Sequence, residues 1–135
     1  MRRETVIDNE FGSMWYYPEK RIIHHQIHKF MFGETYKKFI LTATDLMKKY
    51  QARKWLSDDR KSPVIRKEDM MWEEVNWFPQ TVDAGWKYWA IVTPEKALGQ
   101  MNMEGLARQF ASQGLIVRFF NFPEEGLKWL ESQKD

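Results

Sequence analysis

The stretch Trp86 to Val92 is apolar on both of its alternating sides, with Trp86, Tyr88, Ala90 and Val92 on one and Trp89 and Ile91 on the other. A strand of this kind is stable only when both of its faces are covered, which is the situation of a central strand in a sheet flanked by helices. It closes at Thr93-Pro94, where the chain must leave the sheet. The rest of the sequence is therefore expected to supply further strands beside this one and helices above and below it.

Those elements can be read in both directions from it. Leu115 to Phe120 and the shorter Lys54 to Asp58 read as companion strands, and Met14-Trp15-Tyr16-Tyr17 and Arg21 to His28, joined by Pro18-Glu19-Lys20, read as a β-hairpin. After Gly33, the residues Tyr36, Phe39, Ile40, Ala43, Met47 and Tyr50 recur at helical spacing, with Lys37, Lys38, Asp45 and Lys48 largely opposite, which predicts an amphipathic helix over 33–50. A second helical pattern begins near Lys67, with Glu68 and Asp69 in its first turn and Met71, Trp72, Val75 and Phe78 as its apolar side. Pro79 removes the bond to Val75, so this helix should kink or restart there before ending at Gly85. Asn102 can cap a helix over about 103–113 that ends at Gly114, and Pro123-Glu124-Glu125 starts a terminal helix carrying Leu127, Trp129 and Leu130. Residues 1–12 show no period and read as a flexible N-terminal arm, leaving 13–135 as one α/β domain. The expected order is β-β-α-β-α-β-α-β-α, a mixed sheet of four to five strands whose last three are parallel.

Composition excludes several functions. The chain has 135 residues, the usual size of one domain, and no cysteine, which removes disulfides, thiolate catalysis and thiolate metal sites together. Its 21 lysines and arginines against 19 acids give a net charge of +2, too balanced for a nucleic-acid surface. No apolar run reaches the length of a signal peptide core or a membrane span, so a cytoplasmic location is expected. No glycine loop of the phosphate-cradling kind is present, and no cofactor or metal is expected. The unusual figure is 16% aromatic residues with seven tryptophans, which points to a dense core, an aromatic-lined pocket or an oligomer interface.

Candidate site residues gather at strand ends, because in open α/β sheets ligands bind beyond the carboxyl edge. Asp58, Asp59 and Arg60 lie at one such exit, and Thr93 and Asn121 end the two neighbouring strands, so five polar groups could converge there. The plainer reading has Asp58 or Asp59 capping the turn and Arg60 paired with a neighbouring carboxylate. His24, His25 and His28 look dense, but on a strand His24 and His28 lie ~13 Å apart and His25 points the other way, so a solvated or edge-strand role is expected rather than a metal site. Trp72, Trp77, Trp86 and Trp89, with Met70, Met71, Met101 and Met103, could be plain core or could line an apolar cavity. Trp77 lies off the stripe of its helix, the position of an interface anchor or a pocket lid.

The segments K-W-L-S-D-D-R at 54–60, W-F-P-Q-T-V-D-A-G-W-K-Y-W-A-I-V-T-P at 77–94 and G-L-I-V-R-F-F-N-F-P-E-E-G-L-K-W-L at 114–130 resemble the SpoIIAA-like family of STAS-type fold, also described as STAS/SEC14-like. The resemblance runs from about Tyr16 to Ser132 and implies a mixed sheet flanked by helices in a largely uncharacterised group. Relatives that act as anti-sigma factor antagonists switch by phosphorylation of a serine in a D-S-S-G turn. Here the corresponding turn is Asp58-Asp59-Arg60-Lys61-Ser62-Pro63, and Ser57 and Ser62 are its only hydroxyls and hence the phosphorylation candidates. The first functional expectation is a non-enzymatic regulatory domain that binds a protein partner or a second copy of itself through the loop 57–66 and the helix after it. The second is a carrier or sensor of a small apolar, lipid-like ligand, and the third an enzyme using Asp58, Asp59 and Arg60. A dry core with an exposed apolar patch would favour the first, and a cavity of ~300 Å³ or more the second.

Overall fold

A computed structural model describes residues 1–61, 64–94, 96 and 103–135, with only the backbone of residues 103, 104, 106 and 107. The chain forms an α/β domain built on a six-stranded mixed sheet whose strands lie side by side in sequence order. Strands β1 (Glu4–Asp8) and β3 (Ile22–Ile27) both run antiparallel to β2 (Gly12–Tyr17), which lies between them. Strands β4 (Lys54–Asp58), β5 (Tyr88–Val92) and β6 (Ile116–Phe120) continue the sheet parallel to β3. The connections are α1 (Gly33–Tyr50), then α2 (Lys67–Trp72), a π turn (Glu73–Trp77) and α3 (Phe78–Asp83), then α4 (Met103–Ala111), with α5 (Pro123–Ser132) following β6.

The sheet divides the core in two. Phe39, Ile40, Ala43 and Met47 of α1 cover one face together with Trp77, meeting Met14, Ile23, Trp55 and Val117. Leu130 of α5 covers the other, over Tyr17, Ile22, Leu56, Tyr88, Ala90 and Val92. Helix α5 lies very close to the sheet at Gly126, where an added Cβ would come within 2.7 Å of Leu56 Cδ1. The chain beyond α5 is tied back by the buried Lys54, whose Nζ donates to the Gln133 carbonyl at 2.7 Å.

Three features differ from the expectation. Residues 4–8, read as part of a loose arm, form the sixth strand, paired with β2 through Glu4↔Tyr16 and Asp8↔Ser13. An edge strand exposed along most of its length needs no buried alternation, so it leaves no period to detect. Trp86 packs with Trp89 rather than on the Tyr88 side, because the strand begins only at Tyr88. The third difference is the phase of the segment 67–83. Phe78 N–H bonds the Glu73 carbonyl, a π-type turn that accommodates Pro79, which has no N–H and would clash with the Val75 carbonyl in a regular helix. The extra residue rotates everything after it. Asp69 already faces inward in α2, before the turn, and Glu73, Trp77 and Thr81 follow it, while Met71 and Val75, expected on the apolar side, are 58% and 73% exposed.

Candidate functional site

Successive residues at the end of β4 part company. Asp58 continues the Leu56 side, toward α5, and is held there by Arg60, whose Nε and Nη2 each donate to its carboxylate at 2.8 Å. The Arg60 N–H also reaches Asp58 Oδ1 at 3.3 Å, so the plainer reading of this turn describes Asp58 and Arg60. Asp59 goes the other way, to His25 of β3 at 2.9 Å.

The tautomer of His25 follows from its neighbours. Trp55 Nε1–H, which can only donate, bonds His25 Nδ1 at 3.0 Å, so Nδ1 is the acceptor and Nε2–H donates to Asp59. Both ring nitrogens are thereby committed, in a side chain only 5% exposed. Beside this chain lies a second polar pair, in which Tyr36 of α1 donates to Glu73 Oε2 at 2.6 Å. Burial raises the Glu73 pKa to about 7, the Tyr36 hydrogen bond opposes the rise, and the charges of Asp59 and Asp69 add to it. Burial and the Glu73 charge push the Tyr36 phenol well above its ordinary value. Asp69 itself is buried and accepts the Gly33 N–H at 3.1 Å, capping α1 from a neighbouring helix.

His25, Tyr36, Asp59 and Glu73 line a chamber of about 170 Å³ whose apolar walls include Met31, Phe39 and Trp89. On its far side Glu73 and Trp89 also line an open groove of about 470 Å³ between the π turn and α4, together with Met70, Trp77, Phe78 and Phe110. Glu73 is thus a shared wall between a small chamber and a larger groove, both lined by a mixture of polar and apolar side chains, with Glu74, Gln109 and Gln113 among those of the groove. A separate cavity of about 410 Å³ opens on the other side of β4, at Asp58 and Arg60.

The expected convergence of five groups does not occur. Asp58 and Arg60 face one cavity and Asp59 the other, while neither Thr93 nor Asn121 lines either. Thr93 is buried with its N–H on the Phe120 carbonyl at 3.1 Å, and the Asn121 Oδ1 is buried without a partner among the described residues. The cause is strand alternation at Asp58 and Asp59, which sends adjacent side chains to opposite faces. Trp77 is neither lid nor exposed anchor. It is 4% exposed, nested against Trp55 and Trp86 at ring separations of 5.5 and 5.4 Å, because the π turn rotates it inward. Trp72 is half-buried under Lys37, 5.5 Å from its ring. Met70 and Met71 are exposed, and Met101 and the Met103 side chain lie outside the described residues. Ser57 is 2% exposed and its Oγ accepts Trp89 Nε1–H at 2.8 Å, which withdraws that hydroxyl from modification, and Ser62 lies outside the described residues. His24 and His25 are buried on opposite faces of an interior strand rather than solvated, and His28 contacts Ser13 Oγ at 2.9 Å.

Tyr36 and Glu73 were not singled out from the sequence. Tyr36 looked like one more apolar residue of α1, and Glu73 fell on the expected polar side of its helix. The available signal was the spacing of four residues between Asp69, Glu73, Trp77 and Thr81 across Pro79, slightly wider than the turn of a regular helix. Fold and site together define an α/β domain with a small chamber and a neighbouring larger groove that share Glu73 and Trp89 as lining. No family model matches the chain, and no curated protein or solved structure shows significant similarity to it.

Proposed function

We propose that the chain is a SpoIIAA-like, STAS-type domain that binds a small amphipathic ligand, seating an apolar body in the groove and a hydrogen-bonding head in the chamber. The observation that carries this reading is the shared wall: Glu73 and Trp89 line both spaces, so one molecule can occupy the two together. The groove, at about 470 Å³, falls within the ~300–1,000 Å³ of small-molecule sites. Glu73, with a pKa of about 7, can meet the head either as donor or as acceptor near neutral pH. The reading is of binding rather than catalysis, since His25 has both nitrogens occupied and is poorly placed to carry a proton. The family assignment rests on the segments 54–60, 77–94 and 114–130, which supply β4, α3 with β5, and β6 with most of α5.

The test uses an environment-sensitive apolar dye and the variant Gln109→Trp, which adds bulk at an exposed groove position without entering the core. The expected result is saturable dye fluorescence that Gln109→Trp reduces at unchanged melting temperature. Dye binding unaffected by this variant would refute the groove as the site.

A second reading, binding of a protein partner or of a second copy through the loop 57–66 and α2, is favoured by a specific observation. Val64, Met70, Met71 and Val75 are 71%, 45%, 58% and 73% exposed along that region, and Phe30 and Phe32 stack in the open nearby α1. Sedimentation at rising concentration tests self-association, which the double variant Met71→Lys, Val75→Lys would abolish. A chain that stays monomeric at every concentration excludes the self-associating form.

A further inference from the structure

The cavity on the α5 side of β4 collects hydrogen-bond donors that the protein itself does not satisfy. We propose that it is a second binding site, independent of the groove, for an oxyanion, the carboxylate or phosphate group of a small metabolite. Its walls include Arg3, Trp15, His24, Gln26, Arg60 and Glu124, around a volume of about 410 Å³.

Arg3 stands at the start of β1, and the register Thr5↔Trp15 brings it beside Trp15 of β2. Its guanidinium lies 4.1 Å over the Trp15 ring and forms no ion pair among the described residues, although Arg2 next to it pairs with Glu4. Stacking on an indole fixes the plane of the fork while leaving its N–H edge for a planar or tetrahedral oxyanion. Arg60 is oriented from behind: Asp58 takes Nε and Nη2, and Nη1 has no partner among the described residues.

His24 supplies the third donor. The Tyr17 hydroxyl lies 3.1 Å from His24 Nδ1, and in the tautomer that presents a donor to the cavity its O–H donates to Nδ1. The neutral ring then carries its proton on Nε2, which is without an acceptor among the described residues, in a side chain more than nine-tenths buried at the cavity wall. Burial pulls the His24 pKa down to about 3, with the adjacent His25 and the charges of Arg3 and Arg60 in the same direction and Asp58 opposing, so the ring serves as a neutral donor across the physiological range. Asp58 and Glu124 are the acids of the cavity. Asp58 is committed to Arg60, and Glu124 sits exposed at the first turn of α5. Three donors from three strands or strand ends, arranged around one space and lacking acceptors, are what an oxyanion satisfies.

The experiment is nitrogen-detected NMR of the arginine and histidine side chains during titration with inorganic phosphate and, separately, acetate, at ionic strength held constant with sodium chloride. The expected result is saturable shifts at Arg3, Arg60 and His24 Nε2, weakened about tenfold by Arg3→Gln, with the melting temperature unchanged because Arg3 is exposed. Glu124→Gln should tighten binding by removing the unpaired carboxylate. Response to phosphate alone assigns the phosphate class, response to acetate alone the carboxylate class, and response to both a general oxyanion site. Shifts that rise linearly, that sodium chloride reproduces, or that Arg3→Gln leaves intact would overturn the proposal.

Discussion

Glu73 binds its proton more tightly in the folded chain than in the unfolded one, its pKa rising from 4.5 to about 7. The stability this confers is fully present below the unfolded value and is lost as pH rises through about 7. Glu73→Gln should therefore stabilise the protein by about 2 kcal/mol near pH 8, after allowance for partial exposure, and leave it unchanged near pH 4. Urea unfolding at the two pH values checks this. Tyr36→Phe removes the hydrogen bond that opposes the rise, so the Glu73 carboxyl should titrate higher still, as read by carbon-13 NMR. His24 has the opposite sign. Its pKa falls from 6.5 to about 3 on folding, so stability is present above 6.5 and is lost as pH falls toward 3, an acid limb that His24→Gln should flatten. At this scale the pairing of Arg60 with Asp58 was legible, because two residues of separation suffice to form it. The partnership of His25 with Asp59 was not, since 34 residues separate them and only the parallel pairing of β3 with β4 joins them.

The π turn decides which side chains of the segment 67–83 meet the site. The apolar stripe expected from the sequence would have buried Val75 and left Trp77 off its face. The rotated phase predicts instead that Val75→Lys changes stability by less than about 0.5 kcal/mol, while Trp77→Ala costs about 3–5 kcal/mol, measured by chemical denaturation. Comparable losses at both positions would argue against the π turn. Helix α5 depends on a close approach, and Gly126→Ala should destabilise the chain because the new methyl meets Leu56, Phe120 and Ala90 together. Elements with a strong single period were legible, as α1 over 33–50 and β4 over 54–58 show. Where a proline forces an irregular turn, the period changes midway and the predicted face fails with it.

Across the whole molecule, the sequence-ordered sheet makes β4 a partition. The chamber and groove lie on the side of α1 and the π turn, and the donor-lined cavity lies on the side of α5. The α/β class was legible because a strand apolar on both faces admits few other surroundings. The site was legible only as a location, the carboxyl edge near residues 58–60, since which neighbour each side chain meets is set by alternation and by the inward rotation of Glu73. Among the described residues no helix is long and apolar enough to cross a membrane. The central claim is that the groove and chamber hold a ligand together. Native mass spectrometry of the protein purified gently from its own cells tests it most directly, with Gln109→Trp alongside. The account predicts an adduct of a few hundred daltons on the wild-type chain that disappears on denaturation and is missing from Gln109→Trp; a bare mass for the wild type, or an adduct retained equally by the variant, would contradict it.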